Sequence, residues 1–232
     1  MHAEYDRLAM TAPQRVFDIA VVIVTYRSAL LTIACLKSLQ AERSNPRLRI
    51  RAVVVDNASG DLPEISRAVE DYQWSQWVTL VSAPKNGGFA YGNNFGIEQA
   101  YASGVPSYLF LLNPDTEVRP GAVAALVGFM EAHPDAGIAG PSFETLDRGD
   151  WKIAFRFPTL LSELEEGLKL GLATRFLSRW AVVHNMGDRS EAVDWVSGSS
   201  MMIRPEVFAA VGGMDEDYFL FFEETEIGRA HV

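Results

Sequence analysis

The sequence predicts an α/β protein: a Rossmann-like, mostly parallel sheet flanked by helices, followed by a mixed second half. Two observations carry that expectation. Short β-branched or apolar runs such as IAVVIVT (residues 19–25), IRAVVV (residues 50–55) and YLFLL (residues 108–112) have the near-continuous hydrophobicity of strands covered on both faces. Between them lie stretches with apolar residues at helical spacing, so that strand-then-helix recurs four times within about 130 residues. That alternation builds parallel sheets with right-handed crossovers, and such sheets bind ligands at the carboxyl ends of their strands.

The first strand is followed by Ser28, which can cap a helix carrying Leu30, Leu31, Ala34 and Cys35. After the second strand, Pro63 opens a helix with Ile65, Ala68, Val69 and Tyr72 at i, i+3, i+4, i+7. Trp77 to Val81 supplies a third strand, and residues 89–102 a helix entered through glycines. The fourth strand leads to Pro120 and a helix with Val123, Leu126, Val127 and Met130 on one stripe. Farther on, residues 151–157 alternate as a half-exposed strand, residues 160–178 look helical, and residues 195–204 read as a strand ending at Pro205 and a short helix. No linker, repeat or low-complexity tract interrupts the chain, so a single domain over residues 1–232 is expected.

Composition narrows the function classes. The chain has 232 residues, 48% of them hydrophobic, which suffices for one full α/β core. Acidic residues number 30 against 20 basic, a formal net charge of −10 that repels phosphate backbones and argues against nucleic acid as a partner. An anionic substrate then needs a local device: a metal ion, backbone N–H groups or a few placed cations. Cys35 is the single cysteine, so no intrachain disulfide can form, and its apolar neighbours read as core packing. No apolar run reaches the roughly 18 residues of a membrane span. Residues 1–15 lack the basic-then-apolar pattern of a signal peptide. The expected location is cytoplasmic, with at most peripheral contact at the inner face of a membrane.

Five segments could carry chemistry, and four of them fall just after predicted strands. Thr25-Tyr26 ends the first strand. Asp56 opens DNASG after VVV, where an acid can hold a ribose or base, or form an Asp/Asn turn. NGGFAYGNNFG (residues 86–96) packs four glycines and three asparagines into a strand-to-helix junction, as a ligand loop or a structural turn would. It is neither a dinucleotide fingerprint nor a phosphate loop ending in Gly-Lys-Ser/Thr. Asn113-Pro114-Asp115 follows YLFLL, where a carboxylate suits a hard divalent cation or a helix cap. The last segment, DEDYFLFFEETE (residues 215–226), brackets an aromatic run with acids. It forms a solvated face, or presents a general base whose apolar surroundings raise its pKa.

VVIVTY, VVVDNASGD, NGGFAYGNNFGI, FLLNPDTEV and DWVSGSSMMIRPEVFAAVGGMDEDYFLFFEETE resemble, in order and spacing, the family 2 glycosyltransferases of GT-A fold. The resemblance covers about residues 19–227, and the NPD triplet with the W-x-x-G-S segment is similar to the rhamnosyltransferase branch. It implies a donor-binding half at about 17–140 and an acceptor-side half at about 141–232, cut short after EETEIGRA where relatives usually continue. It implies an inverting transfer of a sugar from a dTDP- or UDP-linked donor to a glycan or lipid-linked acceptor, in polysaccharide biosynthesis. Thr25 and Asp56 would hold the nucleoside, and Gly88 and Asn94 would line the sugar and phosphate side. Asp115 would ligate Mg²⁺ or Mn²⁺, Trp195 and Gly198 would shape the acceptor side, and Glu224 would be the base.

Two departures from the family pattern stand out. The base position holds Glu224 where Asp is common, with Glu223 and Glu226 as neighbours, and Asn113 replaces the first acid of the commoner triplet. Two other classes compete: a sugar nucleotidyltransferase, and a nucleotide-sugar-binding module without catalysis. The first wants a Gly-rich basic loop after the first strand, and TYRSALL has no glycine.

Overall fold

The computed structural model describes residues 15–144, 154–157, 159, 182, 190–220 and 225. In chain order the elements are β1 (Phe17–Thr25), α1 (Ala29–Glu42), β2 (Leu48–Asp56), α2 (Leu62–Asp71), β3 (Val78–Ser82), α3 (Gly88–Tyr101), β4 (Tyr108–Leu112) and α4 (Ala122–Ala132). They continue as β5 (Ile138–Ala139), β6 (Ala154–Phe155), β7 (Trp195–Val196), β8 (Ser200–Ile203) and α5 (Pro205–Val211). Six strands form one sheet in the order β3-β2-β1-β4-β8-β5, and β6 pairs with β7 apart from it. β3, β2, β1 and β4 run parallel, whereas β8 lies antiparallel to both β4 and β5.

Period-two alternation along β1 feeds two cores. Phe17, Ile19, Val21 and Ile23 face one layer with Cys35, Leu36 and Leu39 of α1, Ile65 of α2 and Val123, Leu126, Val127 and Met130 of α4. Ala20 and Val22 face the other with Val53, Val55, Leu109, Leu111 and Ala90, Ile97 and Ala100 of α3. Each β1 residue is therefore covered, which is why its sequence shows no polar alternation.

α3 lies unusually close to the sheet. A Cβ added at Gly96 would stand 2.5 Å from Val22 Cγ1 and 2.9 Å from Val55 Cγ2, and one at Gly92 would stand 2.6 Å from Val24 Cγ1. Two of the glycines in the run that suggested a ligand loop thus act inside the helix, where they admit the valines of β1 and β2.

The predicted elements are found, with shifts that have physical causes. α1 buries Ala29, Thr32, Cys35, Leu36 and Leu39, while Leu30 and Leu31 are 71% and 50% exposed. The packed stripe therefore lies to one side of the face predicted from Leu30 and Leu31. Ser28 occupies the N-cap position of α1 without a side-chain capping bond; its hydroxyl lies 3.0 Å from that of Thr25. Tyr72 lies outside the α2 stripe and stacks on Trp74 with ring centroids 4.8 Å apart. Residues 195–204 are two strands, divided at Ser197–Ser199. Of 151–157, Ala154–Phe155 pairs as a strand, residues 151–153 and the predicted helix at 160–178 lying outside the described residues. The start of α4 is capped from a distance, since Gly121 and Val123 N–H donate to the carboxylate of buried Glu42.

The tight α3 contact yields a paired expectation. Gly96→Ala should lower unfolding free energy by about 1–3 kcal/mol, because rigid strand side chains must give way. Gly128→Ala in α4, where an added Cβ meets nothing within 4 Å, should instead raise it by roughly 0.5–1 kcal/mol. Urea unfolding of both variants checks the pair.

Candidate active site

The parallel register aligns the strand ends. Thr25 pairs with Asp56, and Asp56 with Ser82, so the tips of β1, β2 and β3 form one edge. The chain order reverses between β1 and β4, and ligands of such sheets sit in the crevice at that switch.

Hydrogen bonds tie each loop on this edge to the next. Buried Thr25 donates its hydroxyl to Asp61 Oδ2 at 2.6 Å, and the same oxygen accepts Ser28 N–H at 2.9 Å. Asp61 thereby binds the β1 loop to the β2 loop. Asp56 turns its carboxylate onto its own loop: Oδ1 accepts the Ser59 N–H and hydroxyl at 2.8 and 2.7 Å, and Oδ2 accepts Gly60 N–H at 3.1 Å. Burial pushes its pKa up, but hydrogen bonds from Ser59, Gly60 and Leu62 outweigh it and hold the carboxyl below its ordinary value. Arg27 and Ala58, at φ of 55° and 58°, are non-glycine residues in the left-handed region, one in each of these adjacent loops. Such strain persists only where surrounding structure imposes it.

Asn57 extends the chain of loops. Its Nδ2 donates to Asn86 Oδ1 and to the Gly88 carbonyl, both at 3.0 Å, while its buried Oδ1 has no partner among the described residues. Gly88, at φ 88°, has the carbonyl of Phe219 where a side chain would begin. The Phe89 N–H donates to that carbonyl at 3.0 Å. Asn94 sits farther along α3 and binds Met214 and Glu216 with its whole amide. The amides of Gly88 and Phe89 are thus taken by Asn86 Oδ1 and Phe219 O. That shifts the task of holding an anion away from them.

Asp115 differs from the other acids of this edge. It is exposed, beyond the end of β4, and among the described residues it has neither a hydrogen bond nor an ion pair. Its loop is pinned behind it, with Asn113 N–H donating to Ser199 O at 2.9 Å and Thr116 N–H to Asn113 O at 3.2 Å. The charge is felt inside the core: burial, reinforced by Asp115 and Glu117, pushes the Cys35 thiol above its ordinary range. Cys35 is accordingly inert packing, as read from the sequence.

Trp195 stacks on Phe155 at 4.0 Å between ring centroids and donates its indole N–H to Arg156 O at 3.2 Å. Gly198 is buried in the turn joining β7 to β8, between Ser197 and Ser199, whose hydroxyls lie 3.0 Å apart. Glu224, with Glu223 and Glu226, lies outside the described residues. The edge therefore brings together Thr25, Asp56 and Gly88, whereas Asn94 lies deeper in α3. Asp61 and Asn57 were missed as organisers of the edge. Asp61 two residues before Pro63 has the signature of a helix cap, and only the fold shows it reaching across to Thr25.

A Rossmann-like parallel sheet with an antiparallel addition and an acid beyond its fourth strand is the architecture of GT-A glycosyltransferases. Residues 20–181 match the family described as Glycosyl transferase family 2, and the chain belongs to that family. It is 28% identical over 221 residues to the N-acetylglucosaminyl-diphospho-decaprenol L-rhamnosyltransferase of Mycobacterium tuberculosis, covering 90% of this chain and 68% of that one. It is 27% identical over 210 residues to the dTDP-rhamnosyl transferase RfbF of Shigella flexneri, covering 90% and 61%. Among solved structures, TarS 1-349 of S. aureus in complex with UDP superposes with a TM-score of 0.62 at 16% identity, covering 92% of this chain and 55% of that one. The mannosyltransferase PcManGT of Pyrobaculum calidifontis, in complex with GDP-Man and Mn²⁺, gives 0.56 at 17% identity, covering 97% and 56%. The chain thus spans little more than half of those two solved chains. Among the described residues no helix is long and apolar enough to cross a membrane.

The lowered pKa of Asp56 has a consequence for stability. A carboxyl whose folded pKa lies below its unfolded one stabilises the fold above the unfolded value, and that contribution is lost as pH falls through the folded one. The stability gap between wild type and Asp56→Asn should be full at neutral pH and shrink below about pH 4. Urea unfolding at stepped pH measures it.

Proposed function

We propose that this protein is an inverting glycosyltransferase that moves a sugar from a nucleotide-diphosphate donor to a hydroxyl of a glycan or lipid-linked acceptor in cell-surface polysaccharide synthesis. Family membership supports the reaction class, and the rhamnosyltransferase relatives favour rhamnose on a dTDP-linked donor. The observation that carries the reading is Asp115, an exposed carboxylate beside the switch point of the sheet with no partner among the described residues.

Asp115 fits a divalent cation in one particular way. Among the described residues no group of three or more His, Cys, Asp or Glu could enclose a metal alone. Mg²⁺-type sites commonly use one or two carboxylates, waters and the substrate's own phosphate oxygens, which is what a single free acid can serve. Asp115 would hold Mg²⁺ or Mn²⁺ there, and Asn113 could add only a neutral amide oxygen. When bound, the cation offsets charge gathering on the departing diphosphate. In an acidic protein this is the local device an anionic donor requires.

The chain's own residues do the rest. Thr25 and Asp56, held by Asp61, Ser59 and Gly60, set the loops against which the nucleoside would lie. Gly88, whose missing side chain leaves room for the Phe219 carbonyl, would line the sugar side as part of that packed junction. Trp195 and Gly198 shape the acceptor side. Glu224 takes the proton of the acceptor hydroxyl as that oxygen bonds to the anomeric carbon. The bond to the diphosphate breaks in the same displacement, so the configuration inverts.

Asp115→Ala should abolish the Mn²⁺-dependent part of UDP or dTDP binding. Calorimetry with and without EDTA reads this, and EDTA-insensitive, unchanged binding would remove the metal role. Glu224→Gln should lose 10²–10⁴-fold in turnover while binding nucleotide normally. Equal loss in Glu223→Gln or Glu226→Gln would move the base, and three variants within about tenfold of wild type would make the acidic run a solvated face and place the base elsewhere.

A further inference from the structure

We infer that Asn94 is a positioning residue that clamps the acceptor-side segment 213–220 onto donor-side helix α3. The functional consequence rests on the glycosyltransferase reading above; the clamp itself does not.

Asn94 binds residues 120 positions away with its entire amide. Nδ2 donates to Met214 O at 2.8 Å and to Glu216 Oε1 at 2.9 Å, while Oδ1 accepts Met214 N–H at 2.9 Å. A carbonyl and a carboxylate can only accept and the Met214 N–H can only donate, so the amide has one orientation that satisfies all three. Both of its N–H groups are used, which leaves no donor for a sugar or phosphate. The two residues before Met214 are Gly212 and Gly213 at φ of 87° and 96°, a left-handed pair that ends α5 and turns the chain back to α3. A Cβ on Gly213 would stand 3.2 Å from Asn94 Oδ1, so the approach is close.

A second anchor lies one and a half turns earlier on the same helix. Phe89 N–H donates to Phe219 O at 3.0 Å, at the place where Gly88 leaves no side chain in the way. Between the anchors the segment folds on itself, with Asp217 N–H donating to Asp215 Oδ1 at 3.0 Å and Tyr218 N–H to Asp215 O at 3.3 Å. Its backbone is fixed at both ends although the side chains of Phe219 and Leu220 are 58% and 54% exposed. Burial of those two side chains therefore does not hold the segment; buried Met214, 3% exposed in the second core, and the polar clamp around its backbone do. Because α3 is locked to β1 and β2 through Gly92 and Gly96, the segment inherits the position of the donor-side edge.

The variant Asn94→Leu keeps the volume and removes the bonds. With the protein still folded, chymotrypsin cleavage at Tyr218–Leu220 should quicken at least tenfold, Mn²⁺-dependent dTDP affinity should stay within twofold, and release of dTDP from dTDP-rhamnose should fall at least tenfold. Asn94→Asp alone faces Glu216 with like charge and should behave the same way. The double variant Asn94→Asp with Glu216→Gln restores the bond to position 216 with reversed polarity but leaves the Met214 carbonyl without its donor, so it should recover part of the protection and turnover lost in Asn94→Asp. Unchanged cleavage overturns the clamp, and a loss of dTDP affinity in place of turnover makes Asn94 a donor-binding residue instead. Should Asn94→Leu not fold, Glu216→Ala removes one bond of the three, and the same cleavage assay decides. Wild type that binds neither dTDP nor UDP with Mn²⁺ overturns the enzyme reading, while cleavage, which needs no nucleotide, still judges the clamp.

Discussion

The close seat of α3 on β1 and β2 is the constraint from which the rest of the edge follows. Valine side chains at positions 22, 24 and 55 project into the space left by Gly92 and Gly96. Backbone-to-sheet distance is therefore set by the absence of two methyl groups. Packed interiors respond to a single methylene, so this contact defines the helix position more sharply than a looser apolar interface would. The N-terminus of α3 is then delivered to the carboxyl edge, where Asn57 reaches Gly88 and where Phe89 receives Phe219.

From that fixed point the edge is assembled as a series of cross-loop bonds. Thr25 is held by Asp61, Asn57 holds Asn86, α3 holds segment 213–220, and Asn113 is held by Ser199. Each bond joins segments that are distant in sequence and lie beside one another only in the folded sheet, so none is available until the sheet has formed. Loop hydrogen bonds of this kind contribute modestly to net stability, about 1 kcal/mol each. Their larger effect is to reduce the freedom of loops that would otherwise fluctuate, and a site built on them is organised before a ligand arrives.

Much of the fold was legible because β1, β2 and β4 are largely covered on both faces and α2 and α4 have a clear stripe. Tyr108–Leu112 and the stripe of Val123, Leu126, Val127 and Met130 are found as predicted. Where the expectation slipped, a tertiary partner had replaced a local one. Ser28 should cap α1 by propensity, yet Asp61 takes its N–H and Thr25 its hydroxyl. The glycines of 86–96 signalled close approach correctly, but a sequence does not say whether what approaches is a ligand, a carbonyl or a valine. Here Gly88 meets a carbonyl, and Gly92 and Gly96 meet valines. Asn94 shows the same limit, since a partner 120 residues away leaves no periodic trace.

The acids of this edge divide by what they hold. Asp56 and Asp61 each satisfy two or more backbone or hydroxyl donors within the protein and hold their loops by that bonding. Asp115 satisfies none among the described residues. A carboxylate that keeps its full hydration has little reason, on stability grounds, to stand at the end of a wholly buried strand with its loop pinned from behind by Ser199. On the reading proposed above, an acid kept available there would serve an external cation that needs a negative, hard oxygen ligand. In a chain of net charge −10, a cation brought to that point also reverses the local sign of the field, turning a surface that repels diphosphate into one that can hold it.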